Sequence, residues 1–151
     1  MNGTVRPERP PLLWAGLGLL AAAGPGVFGW QMRERQRAKD SVSALEARLS
    51  LGSEDGPEVA VAERRSGPRL FYRVTLADPP LGRTLDLSCD WTEPAGRVAH
   101  HNTWRTLNID HAPWRTHCQW VLPVTAPVGS WRVSMRLGDR ELRIGTFEVR
   151  D

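Results

Sequence analysis

A chain of 151 residues holds one domain plus extensions, and a final segment of about 80 residues builds only a modest core. Its 20 basic residues, all but one of them Arg, face 17 acidic ones, a formal net charge of +3. Positions 1–67 carry 9 basic and 8 acidic residues and positions 68–151 carry 11 and 9, an even spread that excludes the one-sided basic footprint of a nucleic-acid binder.

Residues 1–11 are a short flank with Arg6 and Arg9. The stretch 12–30, LLWAGLGLLAAAGPGVFGW, has no charged side chain. As a helix it would reach about 28 Å, close to a bilayer core of ~30 Å. Trp14 and Trp30 stand near its ends, where interfacial aromatics belong. The expectation is a transmembrane signal anchor over residues 12–32. A cleavable signal peptide with Ala21, Ala22 and Ala23 as the cleavage box is the second membrane reading. Apolar character continues past that box, which favours the anchor. Arg33, Arg35, Arg37 and Lys39 follow the segment and outnumber Arg6 and Arg9 before it. The positive-inside rule would therefore keep the following chain in the cytoplasm. The cysteines argue for export, and an exported C-terminal domain is the expectation.

Residues 33–52 are rich in Ala, Arg, Glu, Gln and Leu and read as a helical stalk closed by Gly52. Ala38, Val42, Leu45 and Leu49 are spaced 4, 3, 4, a stripe that could pair two copies of the chain. A single solvated helix is the equal alternative, since two heptads are marginal alone. Residues 53–68 read as a polar linker with Gly and Pro punctuation and room for one short strand at 59–62.

From Arg69 the apolar period changes to two. Leu70, Tyr72, Val74 and Leu76 share one face. So do Leu85, Leu87, Cys89 and Trp91; then Trp114, Thr116, Cys118, Trp120 and Leu122; then Trp131, Val133, Met135 and Leu137. Such alternation marks half-buried antiparallel strands. Residues 141–149 continue the pattern, with a phase slip between Ile144 and Phe147 that suggests a bulge at Gly145. Residues 97–109 form a less clearly phased sixth strand. Turn compositions separate the segments. The fold expected for residues 69–151 is a small, mostly β, antiparallel sandwich of the immunoglobulin type, with Trp91, Trp120, Trp131, Val133 and Phe147 in its core.

Cys89 and Cys118 fall on the apolar faces of their strands, 29 positions apart and flanked by Trp. A bridge between sheets fits that placement, and closing the loop would contribute about 3–4 kcal/mol in the chain-entropy model. Two separately buried thiols are the alternative. A bridge requires an oxidising compartment, which is the argument for export.

The run from Cys89 to Val149 resembles bacterial membrane-anchored immunoglobulin-like domains. In particular it is similar to a family of unknown function that ends in a G-x-W-x-V…G-x-x-L…F-x-V hairpin, here Gly129, Trp131, Val133, Gly138, Leu142, Phe147 and Val149. The resemblance covers about 60 residues, mostly core and turn positions. It implies a sandwich on the periplasmic side of the inner membrane and carries over no catalytic residue.

Chemistry-bearing residues are sparse. His101 and His117 could meet across strands, with Asp90 or Asp110 as a third ligand, but surface histidines are the plainer reading and no metal is expected. His117 adjoins Cys118 in sequence yet points to the opposite face. No nucleophile elbow, P-loop or paired carboxylates appear, and neither an enzyme nor a cofactor is expected. Trp104, Arg105, Trp114, Arg115, His101 and His117 are the candidate partner or ligand surface. Two functions follow as expectations. One is a non-enzymatic, membrane-anchored interaction protein that meets a protein partner in the envelope, with self-association through the stalk. The other is a module that binds cell-wall glycan through exposed Trp.

Overall fold

The computed structural model of the chain describes residues 25–151. Residues 12–24 of the expected anchor, with Trp14 and the alanine box, lie outside the described residues. Helix α1, Pro25–Asp40, opens on a proline, which suits a first turn whose amide needs no helical partner, and continues in Arg, Gln, Glu and Ala. Its last carbonyls are capped from across the molecule. The Arg140 guanidinium donates to the carbonyl oxygens of Lys39 (2.6 Å) and Val42 (2.7 Å). Val42, fully buried, then carries the chain into the domain. No helix among the described residues is long and apolar enough to cross a membrane.

The helical stalk is shorter than residues 33–52. It stops at Asp40, and Ala44–Leu51 is strand β1. The stripe of Ala38, Val42, Leu45 and Leu49 is therefore no helical seam. Val42 and Leu49 are buried in the domain, while Leu45 is exposed. Ala47, Leu49 and Leu51 also alternate at period two, and pairing opposite Val74, Tyr72 and Leu70 decides between the readings. Pairing with a neighbour overrides the helix-forming composition. The expected linker is also built into the fold. Val61–Glu63 forms β2, a little later than expected, and a 3-10 turn at Arg64–Ser66 ends on Gly67 in the left-handed region (φ 56°).

The remaining strands follow the period-two segments: β3 (Arg69–Leu76), β4 (Asp86–Thr92), β5 (Val98–Arg105), β6 (Trp114–Val121), β7 (Gly129–Leu137) and β8 (Arg140–Arg150). They form a three-stranded sheet, β1-β3-β6, and a five-stranded sheet, β2-β8-β7-β4-β5. All pairs are antiparallel except β2 with β8. Between the sheets lie Leu70, Tyr72, Val74, Leu87, Cys89, Trp91, Trp131, Val133, Met135, Phe147 and Val149, all buried. In immunoglobulin terms β1, β3 and β6 take the places of A, B and E, and β8, β7, β4 and β5 those of G, F, C and C′.

The bulge expected at Gly145 lies elsewhere. The register of β7 with β8 shifts between Met135–Arg143 and Arg136–Glu141, leaving Leu142 as the extra residue. Gly145 pairs with Val133 and faces inward in phase with Phe147 and Val149. A Cβ built there would stand 2.8 Å from Cε2 of Tyr72, so its lack of a side chain makes room for the Tyr72 ring.

Candidate partner-binding flank

β5 ends the five-stranded sheet and β6 ends the three-stranded sheet. The chain crosses from one sheet to the other between them, so the two free edges lie side by side along one flank. Alternation aims His100, Asn102 and Trp104 of β5, and Trp114, Thr116, Cys118 and Trp120 of β6, into the gap. The Trp104 indole N–H donates to Thr116 Oγ1 at 3.1 Å. The His100 ring stacks on Trp120, with centroids 5.5 Å apart and planes 7° from parallel. Trp120 in turn packs against Trp91 (5.7 Å) and Trp131 (5.4 Å). The buried Trp91 indole donates to Asn102 Oδ1 at 3.0 Å, and the Asn102 amide lies 3.1 Å from His100 Nε2. A polar and aromatic chain thus runs from the core to the flank.

Cys89 on β4 and Cys118 on β6 are joined in a disulfide between the sheets, with their Cα atoms 6.4 Å apart. In antibody domains the bridge joins B to F. Here it joins the C and E places, and Tyr72 and Val133 fill the interior of β3 and β7. The buried Trp of strand C is kept, as Trp91.

The core residues named from the sequence divide. Trp91, Trp131, Val133 and Phe147 are buried, but Trp120 is half-buried because it closes the flank. The candidate surface residues do not form one patch. Trp104 and Trp114 point into the flank and are half-buried. His101 and Arg105 point outward from the five-stranded sheet, paired with Asp90 and Asp86. Arg115 and His117 point outward from the three-stranded sheet, where Arg115 meets Asp55 and Glu54 and His117 meets Glu54. His101 and His117 are thus on opposite faces of the sandwich and do not meet. Among the described residues no group of three His, Cys, Asp or Glu side chains could hold a metal.

Electrostatics on the two outer faces is local. The Arg105 hydrogen bond holds the Asp86 carboxyl below its usual range, and the Arg115 hydrogen bond does the same for Asp55. Asp55 also meets Arg73 at 2.6 Å, and Arg48 donates to the Gly56 carbonyl at 2.8 Å, so the loop after β1 is fastened over the three-stranded sheet. Glu54 and Asp55 were not legible as partners, since a turn composition does not say which strand the turn folds over. His100 and Asn102 were legible in principle: with Trp104 they form one period-two face, opposite in phase to His101 and Arg105.

Two sheets in this strand order, tied by a disulfide and packed on a Trp of the fourth strand, define an immunoglobulin-like sandwich. Among solved structures the chain is similar to an immunoglobulin-like protein from Pseudomonas aeruginosa, at 17% identity over 73% of this chain and 97% of that one, with a TM-score of 0.52. It is also similar to an alkylpurine DNA glycosylase from Pseudomonas fluorescens bound to DNA containing an abasic site analogue. That likeness has 18% identity and a TM-score of 0.47 over 73% of this chain but only 30% of the glycosylase, and nothing about this chain follows from it. No family model matches, and no curated protein matches. At such identities the first likeness shows the fold alone.

Proposed function

We propose that the chain is a non-enzymatic interaction protein, anchored in the bacterial inner membrane through residues 12–32, whose immunoglobulin-like domain receives a protein partner on the envelope side. The carrying observation is β5: an edge strand of eight residues, without Pro or Lys, its ladder unpaired on one side and half-buried aromatic groups along it. Edges of that kind accept an added strand, and flanking pockets select its side chains. The disulfide supports an oxidising compartment. Self-association through a helical stripe in residues 33–52 loses its basis, because Ala44–Leu51 of that segment is β1.

Glycan binding through Trp is the weaker reading. It needs paired exposed rings, whereas Trp104, Trp114 and Trp120 are half-buried against the core and the Trp104 indole is committed to Thr116.

The test places a photo-crosslinking residue in turn at Ala99 and Thr103 of β5, and at Thr146 on the outer face of β8, in membranes of the native host. Discrete adducts from the two β5 positions and none from position 146 are expected. Equal labelling at all three positions, or none at β5, would overturn the reading.

A further inference from the structure

The end of the sandwich where α1 arrives carries a cleft of about 520 Å³, lined by Arg35, Lys39 and Arg83 beside Pro80, Leu85 and Asn108. Its floor is a two-segment ribbon. Gly82 N–H donates to the Ile109 carbonyl (2.7 Å), Ile109 N–H to Arg83 (2.8 Å) and Thr106 N–H to Leu85 (2.9 Å). Ile109 and Leu85 beneath it are buried. The ribbon holds out two apolar side chains, Leu81 at 61% exposure and Leu107 at 79%. A single exposed Leu needs no explanation. Two on one ribbon, each next in sequence to residues that line a cleft with three cationic side chains, form an amphipathic surface. The nearby carboxylates are partly engaged: Asp86 with Arg105, Asp110 with His111 and Asp40 with Gln36.

What faces that end is set by the chain itself. The last six residues of the uncharged run 12–30 are the first six of α1, Pro25–Trp30. Arg35 lies five residues beyond Trp30, about 8 Å along a helix. The polar layer on each side of a bilayer core is itself roughly 5–8 Å deep. Arg35 therefore reaches the outer edge of the headgroup layer when 12–30 spans the core, and the cleft opens from there outward, with Lys39 about 14 Å along the helix. We infer that the Arg35–Lys39–Arg83 cleft, together with the exposed Leu81 and Leu107 of the same ribbon, docks on the anionic phospholipid headgroups of the membrane that anchors the chain. The inference rests on the anchored reading and adds a fixed orientation to it: the domain sits on the membrane by one end and leaves the β5 edge free. Cationic side chains gain about fivefold each in partitioning to an anionic surface, and the paired leucines insert at the headgroup boundary.

The test uses the full chain with vesicles of phosphatidylcholine alone or with about one third phosphatidylglycerol. Two readouts are taken together: flotation with the vesicles, and the rate of dicarbonyl labelling at each Arg by mass spectrometry. Arg65, at the opposite end of β3, is the reference. The expected result is flotation with both vesicles and labelling of Arg83 slowed at least about fivefold by phosphatidylglycerol, with Arg65 unchanged. Leu81→Ser with Leu107→Ser, both exposed and free to change without unfolding, should abolish most of that slowing. Flotation with both vesicles and no slowing at Arg83 overturns the docking and leaves the anchor standing. Flotation only with anionic vesicles, with Arg83 slowed, sinks the anchor and with it the fixed orientation, leaving a charge-driven contact alone. No flotation with either removes both.

Discussion

Gly145 and Tyr72 show how one missing side chain sets the interior. The Tyr72 ring lies against the backbone of β8, and a methyl group at 145 would stand 2.8 Å from its Cε2 and 3.3 Å from Cγ1 of Val133. The first contact is closer than a Cβ tolerates, and both partners are held between sheets. Gly145→Ala is expected to cost about 1–3 kcal/mol, read as a lowered thermal midpoint; an unchanged midpoint would mean the ring can move aside. Burial, the dominant cause, pushes the Tyr72 hydroxyl well above its ordinary 10.0. The unfolded chain then releases this proton at lower pH than the folded one. The contribution is fully present below about pH 10 and is lost as pH climbs toward the folded value, at up to about 1.4 kcal/mol per pH unit. Denaturant titrations at about pH 9 and about pH 11 should show a steeper loss for the native chain than for Tyr72→Phe. Equal losses would place the hydroxyl in water.

Among the elements, β4 and β6 are joined by the one disulfide of the described residues, a tie between the sheets beyond the backbone itself. Its spacing of 29 residues corresponds to about 3–4 kcal/mol in the chain-entropy model. Reductant should lower the unfolding free energy of the native chain, read from denaturant titration, by about that amount, and should not affect Cys89→Ala with Cys118→Ala. Equal sensitivity of the two proteins would contradict the pairing. Both cysteines and most of the strands were legible because period-two alternation is strong in β3, β4, β6 and β7. β1 was not, since Ala, Leu, Glu and Arg favour a helix when nothing is known of a neighbour, and only pairing with β3 makes the segment extended. The phase of β5 was lost for another reason. As a sheet edge it is exposed on most of its length, so no clean apolar face marks which residues turn inward.

For the whole molecule, the alternation and the Cys–Trp spacing made the sandwich readable, because a core of this size leaves little choice of which face is buried. The site was less readable. The residues singled out, His101, Arg105, Arg115 and His117, were chosen for their chemistry, and the fold spreads them over two opposite outer faces, each against a carboxylate. The flank between β5 and β6 is made by an accident of sheet order that no local pattern states: two consecutive strands end up as the outer edges of different sheets. The basic cleft has the same origin. Lys39 and Arg83 are 44 positions apart and meet because α1 is held by Arg140 against the end of the sandwich.

The Cys89–Cys118 bridge is also a bracket along the chain. All of β5 and the whole β5–β6 connection, Leu107 included, lie between the two cysteines. A cut anywhere in that stretch severs the polypeptide without releasing a fragment. A protease that cuts once there can therefore nick β5 or the loop after it, but the two pieces come apart only when the sulfurs are reduced.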